Sequence, residues 1–309
     1  MESKKLSAWD DSAVLVITPD AFRRGLGSRV VDEILALGLD VTGSRLVRPG
    51  MLELDALYED VVANDGQWRT YRYRCVDYLF ALGTSLAVVL HRPPGLSLPG
   101  GLHEFLQDYK GSGPLHEASP DCLRRRLSSV NSILSLIHTS ASPAEAELDM
   151  EIFGRRNWLT TAPHMPREGH DLVPLDPGVA ARMLDSTLPE TRDFDEVLVD
   201  LRARILIHCW EVLSPYNRDH IEREVGQHGR AALLDHGVVR SSALELGAQG
   251  AHGLAEGLAA PFRPGAQPVD TERLWPTLSA SGVDTDPWER AVLSTSQYFA
   301  PVTTLPSLI

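Results

Sequence analysis

Residues 12–154 alternate short apolar runs with segments of helical periodicity, and this alternation limits the folds open to the chain more than any other feature. SAVLVITPD (12–20), LDVTGSRLV (39–47), SLAVVLHR (85–92) and VNSILSLIHT (130–139) are rich in β-branched residues and read as four strands. The stretches between them read as helices. In AFRRGLGSRVVDEILALG (21–38), Val30, Val31, Ile34, Leu35 and Leu37 recur at helical spacing; Asp20 stands before the segment as a cap and Gly38 ends it. LELDALYEDVV (52–62), TYRYRCVDYLFALG (70–83) and GGLHEFLQDYKG (100–111) are further helical segments. SPAEAELDMEIFG (142–154) opens with Ser142 as N-cap, Pro143 at the first helical position and Glu145 three residues after the cap. The resulting β-α-β-α-β-α-β-α order implies an α/β (α+β) sandwich of the ferredoxin-like kind, with a four-stranded antiparallel sheet and helices on one face.

The pattern breaks at 155–177, where RRNWLTTAPHMPREGHDLVPLDP holds four prolines and reads as a linker. From 178 to 309 the signals are mostly helical: 193–213, 215–237, a glycine-interrupted 241–262 and a short segment at 287–296. The expected organisation is therefore a first domain over 1–154, a linker over 155–177 and a mostly α-helical domain over 178–309.

Composition excludes several classes. With 43% hydrophobic and 23% charged residues the chain is globular in type, and it has no apolar run of the roughly eighteen residues a membrane span needs. MESKKLSAWDD, at the start, lacks an apolar signal-peptide core. Cys75, Cys122 and Cys209 show no CxxC spacing, which argues against a disulfide framework or zinc knuckle and for a reducing, cytoplasmic setting. A net charge of −13 argues against nucleic acid as a general partner while leaving room for a local basic patch that holds a phosphate.

Three stretches carry the chemistry. AVLVITPDAFRRGLGSRVVDEILALGLDVTGSRLV (13–47) matches a strand leading into K-P-D-A/G-x-x-R-G-L. SPDCLRRRL (119–127) matches P-G-T-I-R-G-D-F, and LSLIHTSASPAEAELDMEIF (134–153) matches N-V-I-H-G-S-D-S-x-E-S-A-E-x-E-I-x-x-F. In this order and spacing they resemble the nucleoside diphosphate kinase family over roughly residues 12–154. The resemblance implies the sandwich fold, oligomeric assembly, and passage of a terminal phosphate from a magnesium-bound nucleoside triphosphate (ATP or GTP) to a histidine and on to an acceptor. A neutral imidazole suits that role, with a carboxylate on its other nitrogen to fix the tautomer and support the developing cation.

Carried across residue by residue, the resemblance makes His138 the nucleophile and puts Asp149 on the orienting glutamate, one methylene shorter. It places Arg124 on a phosphate-binding arginine and Tyr58 on a tyrosine near the site, and Asp20, Arg24 and Gly25 keep the opening motif. Other positions depart from the family. Thr18 stands where the family has a phosphate-contacting lysine, and Ser135 replaces an asparagine at the sugar end of the nucleotide. Gln107 stands near a second phosphate arginine, Gly113 or Ser112 replaces a phosphate-binding threonine, and Thr139 replaces the glycine after the histidine. The base-stacking aromatic would come from Trp68, Tyr71 or Tyr73. Substitute cations are at hand in Lys110, Arg125 and Arg126, in Arg69, Arg72 and Arg74, and in Arg155 and Arg156.

Each of these residues also has a plain structural reading. His138 could be a polar strand end, Asp149 part of a solvated helix face, the RRR run at 124–126 a charged surface, and Tyr58 a core side chain. Two functions follow. One is a phosphotransferase working through a phosphohistidine on His138, with an acceptor altered for specialised metabolism. The other is a catalytically inactive module that binds nucleotide or protein on the same fold.

Overall fold

The computed structural model describes residues 9–57, 74–111, 115, 117–156, 175–234 and 236–302. It divides into two units, Met1–Thr191 and Arg192–Ile309. In the first, β1 (Ser12–Ile17), β2 (Asp40–Val47), β3 (Ser85–His91) and β4 (Ile137–Thr139) form one sheet in the order β2-β3-β1-β4. Every neighbouring pair is antiparallel, with Val14 opposite Val89 and Val16 opposite His138. This is the ferredoxin-like arrangement expected from the alternation of strands and helices.

The helices of this unit are α1 (Pro19–Arg23), α2 (Gly27–Leu35), α3 (Met51–Leu57), α4 (Cys75–Ala81), α5 (Leu102–Lys110), α6 (Leu123–Arg126), α7 (Pro143–Asp149) and α8 (Pro177–Leu184). They cover both faces of the sheet rather than the expected one. Ala13, Leu15 and Ile17 of β1 pack with Val30 and Ile34 of α2, Leu102 and Leu106 of α5, and Ala180 and Ala181 of α8. Val14 and Val16 face the other way, onto Ile152 and Phe153. The unbroken apolar run of β1 is the signature of a strand buried on both sides; a strand with one wet face would alternate.

Three local departures from the sequence reading shape the unit. The segment predicted as one helix over 21–38 is two, because Gly25 takes φ +65° and turns the chain. The N-terminus of α2 is then capped from far away. Asp185 Oδ1 accepts the Gly27 N–H at 2.7 Å, and its Oδ2 accepts the Ser28 N–H at 2.9 Å and the Ser28 hydroxyl at 2.6 Å. Second, the strand predicted over 130–139 shrinks to Ile137–Thr139, because Asn131 Oδ1 accepts the N–H groups of Ile133 and Leu134, both at 2.9 Å, and folds the preceding residues into a loop. Third, α7 passes directly into a π-helical turn, Met150–Arg156. The start of α7 is as expected: Ser142 Oγ accepts the Glu145 N–H at 3.1 Å and Pro143 occupies the first turn.

The second unit is built from α9 (Phe194–His208), α10 (Pro215–His228), a 3-10 turn (Gly229–Leu234), α11 (His236–Ala248), α12 (His252–Ala259), α13 (Thr271–Ala280) and α14 (Pro287–Ser296). Capping boxes at Asp193/Glu196 and Asp286/Glu289 start α9 and α14. Gly250, at φ +86°, separates α11 from α12. The helix α13, which lies outside the helical segments expected from the sequence, carries Pro276 in its interior; buried Leu274, Trp275 and Leu278 hold it, with Trp275 stacked on Phe262 at 5.7 Å. The three cysteines are buried and outside any disulfide. Among the described residues no helix is long and apolar enough to cross a membrane.

Candidate active site

The placement of His138 begins with a strained residue. Leu136, just before β4, is fully buried and has φ +71°, a conformation that is unfavourable for a side chain branched beyond Cβ and persists only where its surroundings enforce it. Here the enforcing group is Asp20. Its Oδ2 accepts the Leu136 N–H at 3.0 Å, its Oδ1 accepts the Thr18 hydroxyl at 2.6 Å, and the Thr18 N–H donates to the Leu136 carbonyl at 3.0 Å. Asp20 is completely buried, and that burial pushes its pKa up against the lowering effect of the same hydrogen bonds. The opening TPD of the sequence thus clamps the chain where it enters β4, and pairing of His138 with Val16 fixes the strand itself.

On this strand His138 is 23% exposed, and its Nε2 lies 2.9 Å from Oδ2 of Asp149, a side chain only 2% exposed at the end of α7. Ser140 lies two residues on, where strand geometry returns a side chain to the same face. Its hydroxyl is 2.8 Å from the same carboxylate oxygen and 3.1 Å from the Val14 carbonyl, and it has one proton to give. The Val14 carbonyl already accepts the Ser140 N–H at 3.0 Å, so the carboxylate is the better acceptor for the hydroxyl. An ionised Asp149 only accepts, which places the imidazole proton on Nε2 and leaves the lone pair on Nδ1. No described residue hydrogen-bonds that nitrogen. The Phe153 ring lies at 6.5 Å and backs the imidazole.

The basic residues divide by task. Arg124 donates to the Gly111 carbonyl at 2.9 Å and to the Ile137 carbonyl at 3.1 Å, joining the end of α5 to β4 one residue before His138. Arg125 donates to the Leu115 carbonyl at 3.3 Å. Arg126 forms a bidentate pair with Glu33, at 2.9 and 2.7 Å, and Tyr109 donates to the same carboxylate. The RRR run is therefore three residues with three different sets of partners, and Arg124 is the one that bonds the residue before the histidine. Lys110, in the last turn of α5, is only 7% exposed. Burial and the neighbouring Arg124 lower its pKa to about 7, against the opposing pull of Glu145 and Asp149.

The residues at the positions expected to contact phosphate have protein partners of their own. The Thr18 hydroxyl is held by Asp20. Gln107 Nε2 donates to the carbonyl and the hydroxyl of Thr139, both at 3.0 Å. Ser135 is buried, with its hydroxyl 3.5 Å from the Ile137 carbonyl. Among the expected substitute cations, Arg74 pairs with Asp55 and Asp77. Tyr58, Tyr71 and Gly113 lie outside the described residues, as do Trp68, Tyr73, Arg69 and Arg72. Of the site expected from the sequence, the structure brings together His138, Asp149 and Arg124. Ser140 was missed, although its i+2 spacing from His138 carried the signal.

No protein-family model matches this chain, and no curated protein matches it by sequence. Solved structures that resemble it include the nucleoside diphosphate kinase of Aquifex aeolicus, at 17% identity and a TM-score of 0.38 over 46% of this chain and 93% of that one. The NDP kinase of Pyrobaculum aerophilum matches at 20% identity and 0.38 over 47% of this chain and 96% of that one. The nucleoside diphosphate kinase of Borrelia burgdorferi, a transition-state mimic with bound vanadate and ADP, matches at 18% and 0.38 over 51% and 92%. These likenesses concern the fold of about half the chain.

Proposed function

We propose that the first unit is a phosphotransferase in which Nδ1 of His138 accepts a phosphoryl group from a magnesium-bound nucleoside triphosphate. The observation that carries this reading is the hydrogen bond from His138 Nε2–H to the buried Asp149, which leaves the Nδ1 lone pair for attack. In the forward step the Nδ1–P bond forms as the bond from phosphorus to the bridging oxygen breaks, and the nucleoside diphosphate leaves with that electron pair. The proton on Nε2 stays between the ring and Asp149, whose charge supports the cationic phosphoimidazole. An acceptor oxygen then takes the phosphoryl group and restores the ring. The metal comes with the substrate phosphates, and the acceptor is one altered from the family's usual diphosphate.

A second reading is a nucleotide-binding or protein-interaction module without turnover. It is favoured by Thr18 and Gln107, which stand where the family resemblance implies a lysine and an arginine and are themselves engaged with Asp20 and Thr139. A lost charge-assisted contact is worth roughly 1.5–3 kcal/mol, so two uncompensated losses lower the rate by about a hundred- to ten-thousandfold.

Incubating wild type and His138→Ala with magnesium and terminally labelled ATP or GTP separates the readings. Acid-labile, base-stable label on wild type alone supports transfer. Nucleotide binding by both proteins with label on neither supports the module.

A further inference from the structure

His103 of α5 presents both ring nitrogens to carbonyl oxygens. Nδ1 lies 3.1 Å from the Ser140 carbonyl and Nε2 lies 2.9 Å from the Trp9 carbonyl, in a residue that is buried. A carbonyl only accepts, so each contact needs an N–H from the ring. The imidazolium has two, and the neutral imidazole has one. Protonated, the ring bridges the two carbonyls. Neutral, it turns a nitrogen lone pair toward one of them at hydrogen-bond distance.

The two carbonyls differ in what else they hold. The Trp9 carbonyl also accepts the Ser12 N–H at 3.4 Å, whereas among the described residues no second donor reaches the Ser140 carbonyl. One turn along α5, Gln107 holds the Thr139 carbonyl at 3.0 Å, so the chain leaving β4 is anchored to this helix twice. The neutral ring therefore keeps its proton on Nδ1 for Ser140 and gives up Trp9. Trp9 packs on the cluster that contains Phe153, the ring that backs His138.

The ionisable groups on the surrounding elements bond to other partners. Asp11 pairs with Arg92, and His91 Nδ1 lies 3.0 Å from the Ser12 hydroxyl. Asp149 bonds His138 and Ser140, Glu145 accepts the Ala141 N–H at 2.7 Å, and Tyr109 donates to Glu33. Asp10, Glu104, Asp108, Lys110 and Glu147 complete the set, and none of these side chains hydrogen-bonds the ring.

We infer that His103 is a proton-operated latch: the imidazolium ties the Trp9 segment to the chain leaving β4, and loss of the Nε2 proton to solvent frees that segment while the Ser140 contact stays. The bond to Trp9 exists only with the ring protonated, so the latch is closed at low pH and opens as pH rises through the histidine range. The inference concerns proton binding and the N-terminal segment, and it holds whether or not His138 takes a phosphoryl group.

Nitrogen NMR of the full-length protein labelled on histidine reads the ring directly, with the His103 signals assigned by their loss in His103→Gln or His103→Asn. The expected result is protons on both nitrogens at about pH 5 and on Nδ1 alone at about pH 9. A ring that keeps both protons at the higher pH, holds only one at the lower, or carries its single proton on Nε2 overturns the inference on the wild-type protein itself. Hydrogen exchange of the Ser12 and Arg92 amides, which donate to the Trp9 and Asp11 carbonyls, follows the segment. Corrected for intrinsic rates, their protection should fall about ten- to hundredfold between the same two pH values in wild type. It should not depend on pH in His103→Gln, whose single nitrogen cannot serve both carbonyls. Equal protection at both pH values in wild type overturns the latch. So does a pH dependence that survives in His103→Gln, which would move the titration to His91 beside Ser12.

Discussion

Two buried cations, one in each unit, are treated in opposite ways. Arg202 of the second unit is 1% exposed and donates to the carbonyls of Leu233 at 2.7 Å, Leu258 at 3.1 Å and Ala260 at 3.2 Å. Burial lowers its pKa only to about 10, so it stays charged, and its planar fork ties the 3-10 turn to α12 and the residue just after it. Lys110 of the first unit is buried almost as deeply and has no such partners among the described residues. The difference teaches that burial alone does not decide a cation's state: three carbonyls keep Arg202 charged, while burial and the nearby Arg124 bring the Lys110 ammonium down to about 7.

That contrast can be broken most directly by removing both charges in turn. Arg202→Met should destabilise the second unit by roughly 3 kcal/mol or more, since three buried carbonyls lose their donor. Lys110→Met should leave stability unchanged or raise it. Denaturant unfolding followed at both variants checks the sign, and a comparable loss at Lys110 would erase the distinction.

The next largest effect is on chemistry rather than stability. Asp149→Asn keeps the shape but lets the side chain donate to His138, so the proton no longer has to sit on Nε2. Phosphohistidine formation, followed by single-turnover labelling, should slow on the order of a hundredfold.

A pH series sharpens the comparison further. The folded value for Lys110, about 7, lies below the ordinary 10.5, so between them the unfolded chain holds a proton that the native state lacks. The destabilisation from this side chain is therefore complete below about pH 7 and fades as pH rises toward 10.5. The stability gap between Lys110→Met and wild type should be widest near pH 6 and narrow toward pH 10, and a gap that widens with pH would contradict the assignment. The smallest effect is expected at the remote cap of α2. Asp185→Ala should cost about 1–2 kcal/mol in thermal or denaturant unfolding of the first unit, with little change in nucleotide binding.

Much of the first unit was legible because its signals are local. The strand signals of β1, β2 and β3 and the Ser142–Pro143–Glu145 start of α7 announce themselves within a few residues, whereas His138 and Asp149 stood out only through the family resemblance. What escaped depended on partners that residue types do not announce, some of them far away in sequence. The shortness of β4 follows from Asn131 and from a left-handed Leu136 held by Asp20, more than a hundred residues earlier. The engagement of Thr18 and Gln107 could not be read from their types, since a hydroxyl and an amide fit a phosphate as well as a protein neighbour. Helix α13 was masked by Pro276, a residue that local rules forbid in a helix interior and that the packing of Leu274, Trp275 and Leu278 overrides.

The central claim is that Asp149 holds Nε2 and offers Nδ1 of His138 to phosphorus. Its most direct test is the position of the phosphoryl group on the ring, read by phosphorus NMR of wild-type protein after reaction with magnesium and ATP or GTP. The account predicts a phosphoryl group on Nδ1 of His138 and none in His138→Ala. A phosphoryl group on Nε2, or bound nucleotide with an unmodified His138, would contradict it.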